Sequence, residues 1–150
     1  MTGGFEQAGA QVAGAGAAWG AIGNSFARAD AQLVGINGQQ TDLQRAVLAG
    51  ELWLDPNVAR LAVIRCEQAR GEINESLNNA RRLVERGKFG DNEDGNAAGE
   101  RFARAGHEYI AMLEKARTVV ENMAATYEAA GRTVAETDEA GRQSFRGGSE

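Results

Sequence analysis

The sequence predicts an all-α fold. It has a long antiparallel helical hairpin over about 56–87 and 96–144, a heptad helix over about 5–34 and a short helix over about 42–50. These pack as a bundle or coiled coil. Three observations predict this. Apolar residues recur at alternating spacings of three and four along most of the chain, the period of a helix buried on one side. Proline occurs once, at Pro56, so almost nothing interrupts a helix. The one stretch with a period of two, Leu52-Trp53-Leu54, is too short for a strand.

The N-terminal segment is the least obvious helix. Ten of the 20 glycines lie in the first 50 residues, which by composition reads as a linker. Yet Phe5, Val12, Trp19, Phe26 and Leu33 stand seven apart, and Ala8, Ala15, Ile22, Ala29 and Ile36 follow each by three. That is the a/d seam of a coiled coil kept for five heptads. Glycines 9, 14, 16, 20 and 23 each cost about 1 kcal/mol against alanine, so this helix depends on contacts outside itself. Gly35-Ile36-Asn37-Gly38 is expected to break or kink it. Thr41-Asp42-Leu43-Gln44 has capping-box spacing and is expected to start the short helix, with Leu43, Val47 and Leu48 on one side.

Gly50 to Asp55 is a turn whose apolar content is Leu52, Trp53 and Leu54. Asp55-Pro56 then starts a helix, Asp as N-cap and Pro at the first helical position. The next seam is Val58, Ala62, Cys66, Ala69, Ile73, Leu77, Ala80 and Val84, an eleven-residue repeat widened by Leu61 and Leu83. Arg81, Arg82, Arg86 and Lys88 gather at its C-terminal end, where the helix dipole favours cations. A loop follows through Phe89 to Gly95. The last helix is expected to begin near Asn96 and Glu100, with a seam of Phe102, Ala105, Tyr109, Met112, Ala116, Val119, Met123, Ala130 and Val134. At 1.5 Å per residue it spans roughly 70 Å and its hairpin mate roughly 48 Å. Its end therefore projects unless the N-terminal helix covers it. Gly131 and Gly141 are expected to weaken that projection, and residues 146–150 to form a flexible tail.

At 150 residues the chain is one domain. Its net charge is −5, and neither the first 50 residues (−1) nor the remainder (−4) forms a basic patch. Nucleic acid and anionic membrane surfaces are not the expected partners. No apolar run is long enough to span a bilayer. The N-terminus lacks the basic start and apolar stretch of a cleavable secretory signal, so export would use a route that reads no such signal. Cys66 is alone, on an apolar stripe, and reads as a buried core residue. His107, the sole histidine, lies off the seam with no partner at useful spacing. Glu72, Glu75, Glu108 and Glu114 are carboxylates of a solvated face, without the Glu-x-x-His spacing of a di-metal bundle. The glycine-rich runs lack the Gly-Lys-Ser/Thr ending of a phosphate loop. No catalytic, cofactor or metal site is expected. Trp19, at a heptad position, reads first as core; Trp53, in a turn, reads equally as core or as an anchor for a partner.

The C-terminal stretch Tyr127 to Phe145, taken with Phe89-Gly90-Asp91, Gly95, Gly99 and Phe102, resembles helical-hairpin substrates of actinobacterial type VII (ESX) secretion, relatives of the Trp-x-Gly family. The resemblance covers about residues 55–145. The seams place Ile73, Leu77, Tyr109, Met112 and Met123 in the hairpin core, and the resemblance implies Phe89 and Phe102 at its loop. It also implies a composite export signal at Val134, Asp138 and Phe145. Asp138 takes the place of the acidic residue in the family's Tyr-x-x-x-Asp/Glu pattern, with Val134 where Tyr would stand; Trp53-Leu54-Asp55 occupies the place of Trp-x-Gly. The implied function is non-enzymatic: a secreted substrate, or the helical partner or chaperone of one. Its partner would be a helical protein, in a homo- or hetero-oligomer, meeting Phe5, Val12, Trp19, Phe26, Leu33 and Trp53. The alternative is a cytoplasmic coiled-coil protein that self-assembles through the ladder of residues 5–36.

Overall fold

The computed structural model describes residues 3–86 and 89–147, and the side chains among them except at 3–20, 22, 23, 86, 133–135, 137, 145 and 147. Three helices account for nearly all of it: α1 (Gly3–Leu48), α2 (Pro56–Arg86) and α3 (Glu93–Gly147). No strand occurs among the described residues. The all-α hairpin read from the sequence is the observed fold.

Local chemistry sets each boundary. α1 ends in a Schellman motif: Gly50 N–H donates to Val47 O at 3.1 Å and Glu51 N–H to Ala46 O at 2.9 Å. Gly50 holds φ +73°, which favours glycine. Asp55 caps α2, its Oδ1 accepting from the N–H of Asn57 at 2.8 Å. α3 starts earlier than expected because Asn92 caps it, its Oδ1 accepting from Gly95 N–H at 2.7 Å. Glu93 and Asp94 then lie in the first turn, where the dipole favours acids. Residues 146 and 147 are helical rather than part of a tail.

The expected break at 35–38 and the separate helix at 42–50 are absent; α1 runs unbroken through both. Thr41 caps nothing. Its hydroxyl donates back to Asn37 O at 3.0 Å, the pattern of a threonine inside a helix. The a row explains the continuity. Stepping by seven from Phe26 and Leu33 reaches Gln40 and then Val47, which is 3% exposed. Packing of that row outweighs the helix cost of Gly35 and Gly38.

α3 is the spine. α2 packs antiparallel along one side of it. Ala59 meets Gly131, Asn74 accepts from Arg117 at 3.3 Å, Arg81 pairs with Glu114 at 2.8 Å, and Val84 meets Gly106. α1 packs parallel along another side. Phe26 stacks on Tyr109 with ring centroids 5.7 Å apart, Asp30 pairs with Lys115, and the link after α1 donates from Leu54 N–H to Ala130 O at 3.4 Å. α1 and α2 do not pack on each other among the described residues. The largest fully buried side chain is Leu77, 1% exposed, and Ala59, Cys66, Ala80, Leu113, Val119 and Ala130 lie along the same seams. Thr126 is buried among them with its hydroxyl satisfied by Asn122 O at 2.9 Å.

The α2 seam needs one correction. Val58 is 52% exposed and Ala59 takes its place, while Leu61 and Leu83 face outward instead of widening the core. The reason lies across the interface. A Cβ on Gly131 would come within 2.5 Å of the Ala59 Cβ and 3.7 Å of the Pro56 Cα. Two small residues let the backbones approach closely, and that approach selects the alanine over the valine. Gly131 is thus a packing glycine, not a weak point. Gly71, by contrast, has nothing within 4 Å of where its Cβ would stand. Gly131→Ala is expected to destabilise the fold by about 1–3 kcal/mol through overpacking. Gly71→Ala should stabilise it by up to about 1 kcal/mol. Urea unfolding of the two variants beside the parent checks both signs.

Candidate helix-docking surface

Around α3 the two neighbours leave a gap. At 100° per residue, the α3 positions that meet α1 (Tyr109, Lys115, Val119, Asn122) and those that meet α2 (Gly106, Glu114, Arg117, Gly131) centre roughly 170° apart. Between these directions lie Ala105, Met112, Ala116 and Met123, all half-buried. On the opposite side His107 is exposed, Ala111 and Thr118 line an open crevice beside α1, and Ala125 one beside α2. The half-buried row is the floor of a groove walled by α1 and α2. From α1 the d row faces it, with Ala29, Ile36 and Leu43. From α2 it receives Ala62, Ala69 and Ile73. Floor and walls are apolar, and small residues predominate. A bundle of four helices would place its fourth here.

The sequence-derived partner candidates separate accordingly. Phe26 and Leu33 are half-buried against α3, so from Phe26 onward the a row is spent inside the chain and not on a partner. The side chains of Phe5, Val12 and Trp19 lie outside the described residues, as do those of Val134 and Phe145. Trp53 stands 65% exposed on the link between α1 and α2, and Leu48 at the end of α1 is 78% exposed. Sequence reasoning missed that the d row, not the a row, is the free one. The signal was present: the a row carries the large residues and the d row mostly alanines.

The hairpin core and loop candidates lie along the seams of α3 and at the tip. Ile73, Tyr109, Met112 and Met123 are half-buried along the seams, and Leu77 is fully buried. At the tip, Phe89 folds back on Phe102 with centroids 5.2 Å apart, over Gly99, where its Cδ2 stands 3.4 Å from where a Cβ would lie. Gly90 turns the chain with φ +98°. Gly95 is buried beneath it, where a Cβ would come within 2.8 Å of Gly90 O.

Beyond Gly131, which lies opposite the start of α2, α3 continues to Gly147. Every described side chain from Glu136 to Arg146 is exposed, Asp138 among them. Among the described residues the projecting end of α3 is therefore present, and neither α1 nor α2 covers it.

Titratable groups do not converge. His107, Glu72, Glu75 and Glu108 are exposed, and Glu114 is engaged by Arg81. Among the described residues no group of three or more His, Cys, Asp or Glu side chains could hold a metal ion. Nor is any described helix long and apolar enough to cross a membrane. A cleft of about 430 Å³ is an open crevice between α1 and α3 lined by Leu33, Val34, Ala111 and Val119. Comparison with protein-family models, curated proteins and solved structures finds no match to this chain.

Two polar atoms inside the seams yield predictions. Gln40 holds an a position, and its buried Oε1 has no hydrogen-bond partner among the described residues. Gln40→Leu should raise stability by about 1–2 kcal/mol, read as a higher urea midpoint at unchanged slope. Cys66 is 7% exposed, and burial pushes its thiol above the ordinary range. The folded state holds that proton more tightly than the unfolded chain. Its contribution is therefore fully present below the unfolded thiol pKa and is lost as pH rises through the folded one. Native protein at pH 8 should react with a maleimide far more slowly than urea-unfolded protein.

Proposed function

We propose that this chain is a non-enzymatic protein of type VII secretion, a secreted substrate or the helical partner or chaperone of one. It works by helix–helix association and leaves the cell by a route that needs no cleavable signal peptide. The observation that carries this reading is the free end of α3. A helix that runs past both of its neighbours gains no burial from its last turns. A recognition element read by other machinery needs that accessibility, and Asp138 lies on it together with the Val134 and Phe145 positions of the implied signal.

Two further features support the reading. The antiparallel hairpin with its Phe89-Gly90 tip folded onto Phe102 matches what the resemblance implies. The groove beside α3 fits the kind of helical partner such proteins associate with. The self-assembling alternative rests on the heptad ladder, and from Phe26 onward the stronger row of that ladder is taken up by α3.

Expression in a host with a working type VII system tests the proposal. Asp138→Ala should cut export to background while leaving the melting transition unchanged, because the side chain is exposed. Leu77→Asp should instead unfold the bundle by placing a charge at its deepest position. Export of Asp138→Ala at the parent level would remove Asp138 from the role.

A further inference from the structure

The outer face of α2 carries a second row that the intramolecular packing does not use. Val58, Leu61, Arg65, Gln68 and Glu72 follow one another at spacings of three and four, and Leu83 lies eleven residues, three turns, beyond Glu72. All six are exposed; Leu61 is 63% and Leu83 60% accessible. The row is apolar at both ends and charged in the middle. Arg65 has no carboxylate three or four residues away on its own helix, since those positions hold Leu61, Ala62, Gln68 and Ala69. Glu72 likewise has no cation at Gln68, Ala69, Glu75 or Ser76. Neither forms an ion pair with another described residue.

From this we infer that α2 pairs antiparallel with α2 of a second copy of the chain, about a two-fold axis between Gln68 and Ala69. An isologous contact brings each residue opposite the one equally far beyond the axis. In this register Arg65 faces Glu72 of the second copy and Glu72 faces its Arg65, two crossed ion pairs from one face. The same register brings Leu83 of the second copy one turn from Val58, while Leu61 faces its Ser76. The polar centre thus meets itself in opposite sign, and Val58 and Leu83 come near each other only at the two ends. A charged stretch within an apolar seam fixes register and orientation, here the antiparallel one. The proposal goes beyond the secretion reading and does not depend on it, because it uses neither the groove nor the end of α3.

Light-scattering mass measurement on the full chain tests it. A particle of about twice 15.9 kDa is expected. Arg65→Glu and Glu72→Arg each set like charges against one another and should weaken the dimer at least about tenfold. The combined variant R65E/E72R restores opposite signs and should recover it. All of these positions are exposed, so circular dichroism should show the monomer fold unchanged. Independently, Gln68→Cys in a Cys66→Ala background should form an intermolecular disulfide on mild oxidation. A monomer at every concentration, or a dimer indifferent to the single charge reversals, would overturn the proposal. Neither result would bear on export through Asp138.

Discussion

Everything in this molecule is organised by the burial of one helix against two others that ignore each other. α3 gives α2 a seam of small residues and gives α1 a seam with an aromatic pair and an ion pair. The α2 contact is the tighter one. Gly106 and Gly131, 25 residues apart on α3, each lack the Cβ that would collide with Val84 or Ala59. At seven turns' separation they bracket the interface and set helix spacing along its length. Leu77 sits between them as the fully buried side chain. Close approach gains many weak dispersion contacts per residue, so a chain with few large apolar side chains can still hold two helices together. Without the two glycines the same sequence would have to pack at a wider spacing, and its alanines would then leave voids.

Much of this was legible in the residues because it follows from period and capping alone. The Asp55-Pro56 start and the Gly50 stop are local chemistry, and both are where the sequence puts them. The alternating seam of α3 predicted a helix of more than ten turns, and the floor of the groove is built from members of that seam. The unread parts share one cause. Whether Val58 or Ala59 faces inward is decided by Gly131, 72 residues away in sequence. Whether Gly35 and Gly38 break α1 is decided by what Val47 finds to pack on. Propensity ranks the local choices, and contacts from another helix overrule the ranking.

The candidate site was legible in a different and poorer way. A heptad ladder announces that something must cover it, but it does not announce what. Read alone, Phe26 and Leu33 looked like bait for a partner; in the fold they are the glue of α1 to α3. The surface left over is set by subtraction. It consists of the d row of α1, the middle of the α3 seam and the inner flank of α2, none of which is distinctive by itself. Asp138 is the converse case. Its position was marked by a sequence pattern, and the fold contributes accessibility by leaving the last turns of α3 uncovered.

The two unused surfaces differ in chemistry, and the difference constrains what each can hold. The groove is walled by Ala29, Ile36 and Leu43 on one side and by Ala62, Ala69 and Ile73 on the other, over a floor containing Met112 and Met123. Small residues admit close backbone approach, and methionines adapt to irregular neighbours. Such a surface accepts a helix by shape and discriminates little by charge. The outer row of α2 has the opposite character, because Arg65 and Glu72 reject any neighbour that fails to supply the complementary sign in the complementary place. A permissive groove and a selective face on one small protein need not compete. A self-pairing through α2 would fix how two copies are oriented and leave both grooves and both α3 ends outside the contact, so a symmetric pair would present each of them twice.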